Sequence, residues 1–201
     1  MPQTLVLAFV PGVTPAKWVG VWKDRMSRVP IDLRPLSEAD ALHSLRAGEA
    51  TVALLREPFD RAGLNAIPLY EERAVVVAPK DHAIAAYDEL SRADLDDENL
   101  LEGDARDALE LVAANVGVAI MPQSVARLHS RKDVVARLVH DEPTTQICLA
   151  WLEDATTELV EEFIGIVRGR TANSSRGTVA PPVEKPAPKK TQNRPAKPRR
   201  R

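Results

Sequence analysis

The residues best placed to do chemistry stand together near the start of the chain, in Pro11-Gly12-Val13-Thr14-Pro15. Thr14 reads as a helix N-cap and Pro15 as the first helical residue, where a missing N–H costs nothing. A hydroxyl beside free backbone N–H groups at the carboxyl end of a strand is a place to meet an anionic or polar ligand. A strand running into a capped helix is also how an ordinary α/β domain begins, and the turn lacks the repeated glycines of a phosphate-binding loop.

Catalytic chemistry finds no comparable cluster. His43, His82, His129 and His140 stand apart, with no His or Cys spacing suited to a metal. No Gly-x-Ser-x-Gly elbow is present. The single Cys148 sits inside the apolar run Gln146 to Leu152, where a buried, unreactive thiol is expected. The chain is therefore read as a non-enzyme without metal or cofactor.

The elements that position the turn follow from periodicity. Leu5 to Val10 is a short continuous apolar run, which suits a strand covered on both faces. Trp18, Val19, Val21, Trp22 and Met26 recur at helical spacing, with Lys17, Lys23, Asp24 and Arg25 on the other side. Ile31–Leu36, a helix capped by Ser37 and stopped at Gly48, and Thr51–Leu55 complete a β-α-β-α-β unit. Its third strand ends in Arg56-Glu57-Pro58, close to the first turn if the strands are parallel. Further strands are expected at 63–70, 73–79, 99–101, 134–138 and 145–152, with a turn and a short buried strand within 116–122, and helices at 105–115, 123–129 and 158–170.

The net charge of −2 conceals two opposite parts. Residues 171–201 carry nine basic residues against Glu184 alone, a tail of +8; residues 1–170 hold 18 basic and 28 acidic residues, a body of −10. The tail is rich in proline and has almost nothing to bury, the composition of a disordered segment. Two readings of it remain open. Lys189, Lys190, Arg194, Lys197, Arg199, Arg200 and Arg201 would neutralise nucleic-acid phosphates without reading sequence; alternatively the tail is a solubilising appendage. No stretch has the length and apolarity to span a bilayer and no leader is visible, so a cytoplasmic protein is the expectation.

The order of these parts resembles the effector-binding (substrate-binding) domain of LysR-type transcriptional regulators. Lys80-Asp81-His82 is similar to that family's "pkdHpla" stretch, Leu90–Leu95 to its "vsladL" segment, and Leu111–Pro122 (LVAANVGVAIMP) to its "lVaaGlGiailP". The resemblance covers about residues 4–170 and implies a two-lobed, periplasmic-binding-protein-like α/β fold. Lobe I would hold about 1–78 and 150–170, and lobe II about 79–149. Only Glu102-Gly103-Asp104 separates Leu101 from the next helix, so the second lobe is expected to be shortened. No helix-turn-helix of the family's kind is recognisable.

The resemblance also implies a cleft between the lobes that holds a small organic acid, a side-by-side homodimer, and a role in transcription through a partner, the dimer or the basic tail. A nonspecific nucleic-acid-associated protein with a vestigial effector domain is the alternative. By position the effector residues are Pro11, Gly12, Val13, Thr14, Lys17, Arg56, Pro58, Gly117 and Val118. Thr14 would offer its hydroxyl and Arg56 a two-pronged ion pair. On that view, Thr14→Val with Arg56→Ala removes acid binding and leaves the melting curve nearly unchanged.

Overall fold

The hydrophobic runs sort into two sheets. In the computed structural model, which describes residues 3–170, the strands and helices in chain order are β1 (Leu5–Phe9), α1 (Ala16–Arg25), β2 (Ile31–Pro35), α2 (Glu38–Arg46), β3 (Val52–Arg56), β4 (Leu64–Glu72), β5 (Ala74–Pro79), β6 (Glu89–Leu90), α3 (Ala105–Ala113), β7 (Ala119–Pro122), α4 (Gln123–Leu128), β8 (Val134–Val139), β9 (Thr145–Leu152) and α5 (Glu158–Val167). The basic tail, with all its candidate nucleic-acid residues, lies outside the described residues.

The first sheet has the order β2-β1-β3-β9-β4. β1 pairs in parallel with β2 and β3, and β9 runs antiparallel between β3 and β4. Every residue of β3 is buried, as the continuous run predicts for a strand covered on both faces. Its core joins Leu5, Leu7, Val52, Leu54, Ile147 and Leu149 to α1, α2 and α5. Trp22 of α1 meets Phe163 of α5 edge to face, ring centroids 5.8 Å apart.

The second sheet has the order β6-β8-β5-β7, with β5 inside. Successive β5 side chains face opposite ways, so Val75 and Val77 pack with Leu109, Val112, Met121 and Val125, while Val76 and Ala78 pack with Ile84, Leu90, Leu95 and Val139. One strand thus builds two thin core layers, the first roofed by α3 and α4.

These pairings move the expected lobe boundaries. β5 pairs only with β7 and β8, and β9 only with β3 and β4, so the chain changes sheet at Arg73 and again between Val139 and Thr145. The expected changes near 78 and 149 come too late because apolar runs show where a strand is, not which sheet it joins. The strand expected at 99–101 is reduced to a bridge between Leu100 and Val118. α3 stops at Ala113, since Asn115 turns left-handed at φ +59°. α1 begins one residue later than expected: Pro15 holds the N-cap position, and no side chain caps it.

Gly12 is where the two lobes touch. Its φ is +84°, and a Cβ there would lie 2.4 Å from Ser124 Oγ and 2.9 Å from the Ser124 and Val125 backbone. Gly12→Ala combines a left-handed penalty of about 1–2 kcal/mol with this clash. A fall in Tm of at least about 4 °C is expected by calorimetry.

Candidate functional site

Arg56 ends β3 buried, at 7% exposure, and a buried guanidinium must be paired. Its Nε donates to Glu72 Oε2 at 2.9 Å, its Nη1 to Glu38 Oε1 at 2.6 Å and its Nη2 to the Pro11 carbonyl at 2.9 Å. Ser124 Oγ of the other lobe lies 3.4 Å from the same Nη2. Glu72, equally buried, ends β4 just before the chain changes sheet. Arg56 therefore ties together the first turn, the start of α2, the crossover and the neighbouring lobe. It is not a free cation awaiting a carboxylate.

This contact, with Gly12 against Ser124, divides the space between the lobes. On one side is a central cleft of about 700 Å³, bounded by Pro11, Ser37, Glu38 and Arg56 from the first lobe and by Leu101–Ala105, Ala119–Pro122 and Val125 from the second. Its apolar lining comes mainly from the second lobe, from Leu100, Leu101, Ala108, Ile120 and Met121. Its charges are Glu38, Glu102, Asp104 and Glu142 against Arg56 and Arg92. Arg56 is neutralised by Glu38 and Glu72, and Arg92 lies 3.5 Å from Glu142. Asp104 is spent in part on capping α3, accepting from the Arg106 amide at 2.8 Å.

On the other side is a groove of about 880 Å³ lined by Phe9 to Thr14, Pro35 to Ser37, Ser124, Arg106, Arg127, Leu128 and His129. Among the described residues, no carboxylate lines it. Helical spacing makes the separation: along α3, residues 104, 105 and 108 face the central cleft while 106 faces the groove; along α4, Val125 faces the cleft while Ser124, Arg127 and Leu128 face the groove.

The sequence-derived residues divide accordingly. Pro11 lines both spaces, and Gly12, Val13 and Thr14 line the groove alone. Thr14 is exposed, and its hydroxyl does not cap α1. Lys17 is exposed on α1, and Pro58 borders a small recess of about 200 Å³ with Leu42 and Phe59. Gly117 and Val118 line neither large space. A Cβ on Gly117 would lie 2.2 Å from the Asn99 carbonyl oxygen, so this glycine admits a neighbouring backbone, and Val118 is fully buried in the second lobe.

What sequence reasoning missed is the second lobe's share: Arg92, Glu102, Asp104, Glu142 and the β7 residues in the cleft, with Arg106, Arg127 and His129 in the groove. The one signal available was the short passage Glu102-Gly103-Asp104, which lies on the cleft wall. Cys148 is buried, and burial, with Glu57 beside it, pushes its thiol up to about 11. It is uncharged at neutral pH and therefore a poor nucleophile. Among the described residues, no group of three or more His, Cys, Asp or Glu is arranged to hold a metal, and no helix is long and apolar enough to cross a membrane.

Two sheets of this topology joined at Arg73 and beyond Val139, with a cleft between them, define a two-lobed effector-binding domain. Residues 3–108 and 103–172 match the family described as LysR substrate binding domain, and the chain belongs to it. The two matched stretches meet at the short passage into α3. The chain is 23% identical over 204 residues to the Hca operon transcriptional activator HcaR of Escherichia coli (strain K12), covering 85% of this chain and 69% of that protein. It is similar in fold to the BenM effector binding domain solved with its effector benzoate, with TM-score 0.71 and 16% identity over 83% of this chain and 90% of that one. It is likewise similar to the H2O2-bound C206S mutant of Corynebacterium glutamicum OxyR, with TM-score 0.67 and 20% identity over 83% of this chain and 67% of that one. The family is one of transcriptional regulators rather than enzymes.

The pairing of Arg56 reverses one sequence-based expectation. Removing that side chain strands Glu72 as a buried, unpaired carboxylate, so Arg56→Ala is expected to cost about 3–5 kcal/mol in urea unfolding. Thr14→Val alone should leave the unfolding midpoint unchanged.

Proposed function

We propose that the chain senses a small organic acid between its two lobes and passes that occupancy to transcription, in the cytoplasm, through a homodimer, a partner or its basic tail. The observation that carries the reading is the central cleft. It is large enough for a small molecule, lined by apolar and polar side chains alike and built from both lobes, so a ligand seated there touches both sheets at once. The acid as ligand class is supported by the BenM effector binding domain, similar in fold and solved with benzoate; Arg56, paired with Glu38 and Glu72, is not a free countercharge for it.

A thermal-shift panel of small acids, amines, phenols and sugars tests the reading. A true effector at one hundred times its Kd raises stability by about 2.7 kcal/mol, several degrees in Tm. Ala105→Phe, which projects into the cleft from the start of α3, should abolish that rise while the unliganded Tm stays within about 2 °C of the wild type. A panel in which nothing raises Tm sinks the effector reading.

A second reading is favoured by the charge of the tail: a nucleic-acid-associated protein that binds through residues 171–201, the folded part acting only as support. Duplex-DNA binding by the full chain and by a version ending at Arg170, compared across a salt series, separates the two. Steep salt dependence in the full chain, lost on truncation, is the outcome this second reading expects.

A further inference from the structure

We infer that the open edge of β7 in the central cleft is a subsite for the backbone of an α-amino acid, held there as one added strand residue. The inference rests on the effector reading above and deepens it by naming the class of acid and the atoms that hold it. Three observations carry it.

The first is an interrupted ladder. The Val118 amide donates to the Asn99 carbonyl at 2.9 Å, and the Val118 carbonyl accepts from the Leu101 amide at 2.8 Å, so both groups point away from β5. Backbone groups alternate sides along a strand: those of Ala119 and Met121 turn to β5, and those of Ile120 turn outward again. The next rung would join the Ile120 amide to the Leu101 carbonyl, and it is not made, because the chain turns away into α3 at Gly103, φ +115°. Among the described residues, neither the N–H nor the C=O of Ile120 has a hydrogen-bond partner. Pro122 takes the following outward position, where its missing N–H leaves no donor unpaired.

The second is where that edge lies. Ala119, Ile120, Met121 and Pro122 all line the central cleft although successive side chains face opposite ways, so the cleft runs along the edge of the strand rather than over one face. A ligand there can meet the open groups in ladder geometry. The N–H and C=O of one residue flank a single Cα, and an antiparallel rung answers them with an acceptor and a donor that also flank a single carbon. The α-carboxylate and α-nitrogen of an amino acid have that spacing. The carboxylate accepts from the Ile120 N–H, and the ammonium donates to the Ile120 C=O.

The third is charge. Where the chain leaves the ladder, the cleft wall continues through Glu102 and Asp104. Both are exposed, and neither is in an ion pair among the described residues. Asp104 gives Oδ1 to the Arg106 amide and keeps its second oxygen and its charge. An ammonium on the Ile120 carbonyl offsets this negative wall, whereas an acid without a cationic group meets it uncompensated. Leu101, Ala108 and Met121 line the same space, so an apolar side chain on the amino acid loses water against them.

The test is an amide-resolved NMR titration of the full, isotope-labelled chain with L-leucine and three analogues: isocaproate, which lacks the ammonium, isopentylamine, which lacks the carboxylate, and β-leucine, which keeps both groups but sets them one carbon further apart. Leucine is expected to shift Ile120, Leu101 and Glu102 saturably, with a Kd at least about tenfold below that of each analogue, the worth of one charged hydrogen bond. Glu102→Gln should weaken leucine several-fold and leave isocaproate unchanged. Ile120→Pro, which deletes an N–H that faces away from β5, should weaken leucine at least about tenfold while the Val75 and Val77 amides keep their positions. Binding of isocaproate or β-leucine as tight as that of leucine overturns the subsite, and so does the lack of a saturable shift at Ile120. An acid that raises Tm in the thermal-shift panel without moving Ile120 overturns the subsite and leaves the effector reading intact; only the empty panel overturns that reading itself.

Discussion

A guanidinium cannot be buried at the end of a strand unless its charge and its N–H groups are answered, and in this protein the answers come from three directions. Glu72 meets Arg56 from the last residue of β4, Glu38 from the first turn of α2, and the Pro11 carbonyl from the turn after β1. Each partner fixes a different segment, and one of them, Glu72, immediately precedes the passage into the second sheet. Ion pairs of this kind contribute little net stability compared with an apolar replacement, but breaking one side is costly, so they specify a geometry rather than deepen a well. The geometry specified here is the place where the lobes meet.

The shape of the interlobe space follows from that place. With Gly12 admitted against Ser124 and Arg56 filling the angle behind it, the first turn becomes a partition rather than the floor of one cleft. Two short helices of the second lobe then deal their side chains to the two sides at helical spacing. Acidic residues fall on the side of β7 and basic ones on the side of the first turn. The result is a pair of adjoining spaces of opposite charge in a domain whose net charge describes neither.

The short passage from Leu101 to α3 shapes the same region. It brings the Asp104 cap and the first turn of α3 directly to the cleft wall. With only three residues intervening, the second lobe presents helix ends and the face of β7 where a longer passage would interpose its own side chains. That passage is also where the two stretches matched to the LysR substrate binding domain meet.

Much of the fold was legible because its signals are local. The all-apolar Leu5–Phe9 and Val52–Leu55, the Ser37 cap with its bond to the Asp40 amide, and the stripe of Phe163, Ile164 and Val160 on α5 each depend on neighbours within one or two turns. The glycine at 12 could be placed at the turn between β1 and α1 for the same reason. The sequence could not assign partners. That β5 belongs to the second sheet, that Arg56 is consumed by Glu38 and Glu72 sixteen to eighteen residues away, that Val118 points into a core and that Arg106 and Arg127 share a groove with Thr14 are consequences of strand pairing and lobe contact. Residue type and spacing determine which backbone conformation a segment favours and which face it buries; which charge lies opposite which is decided only when segments distant in the chain are packed together, because the electrostatic cost of a buried ion depends on neighbours the local sequence does not contain.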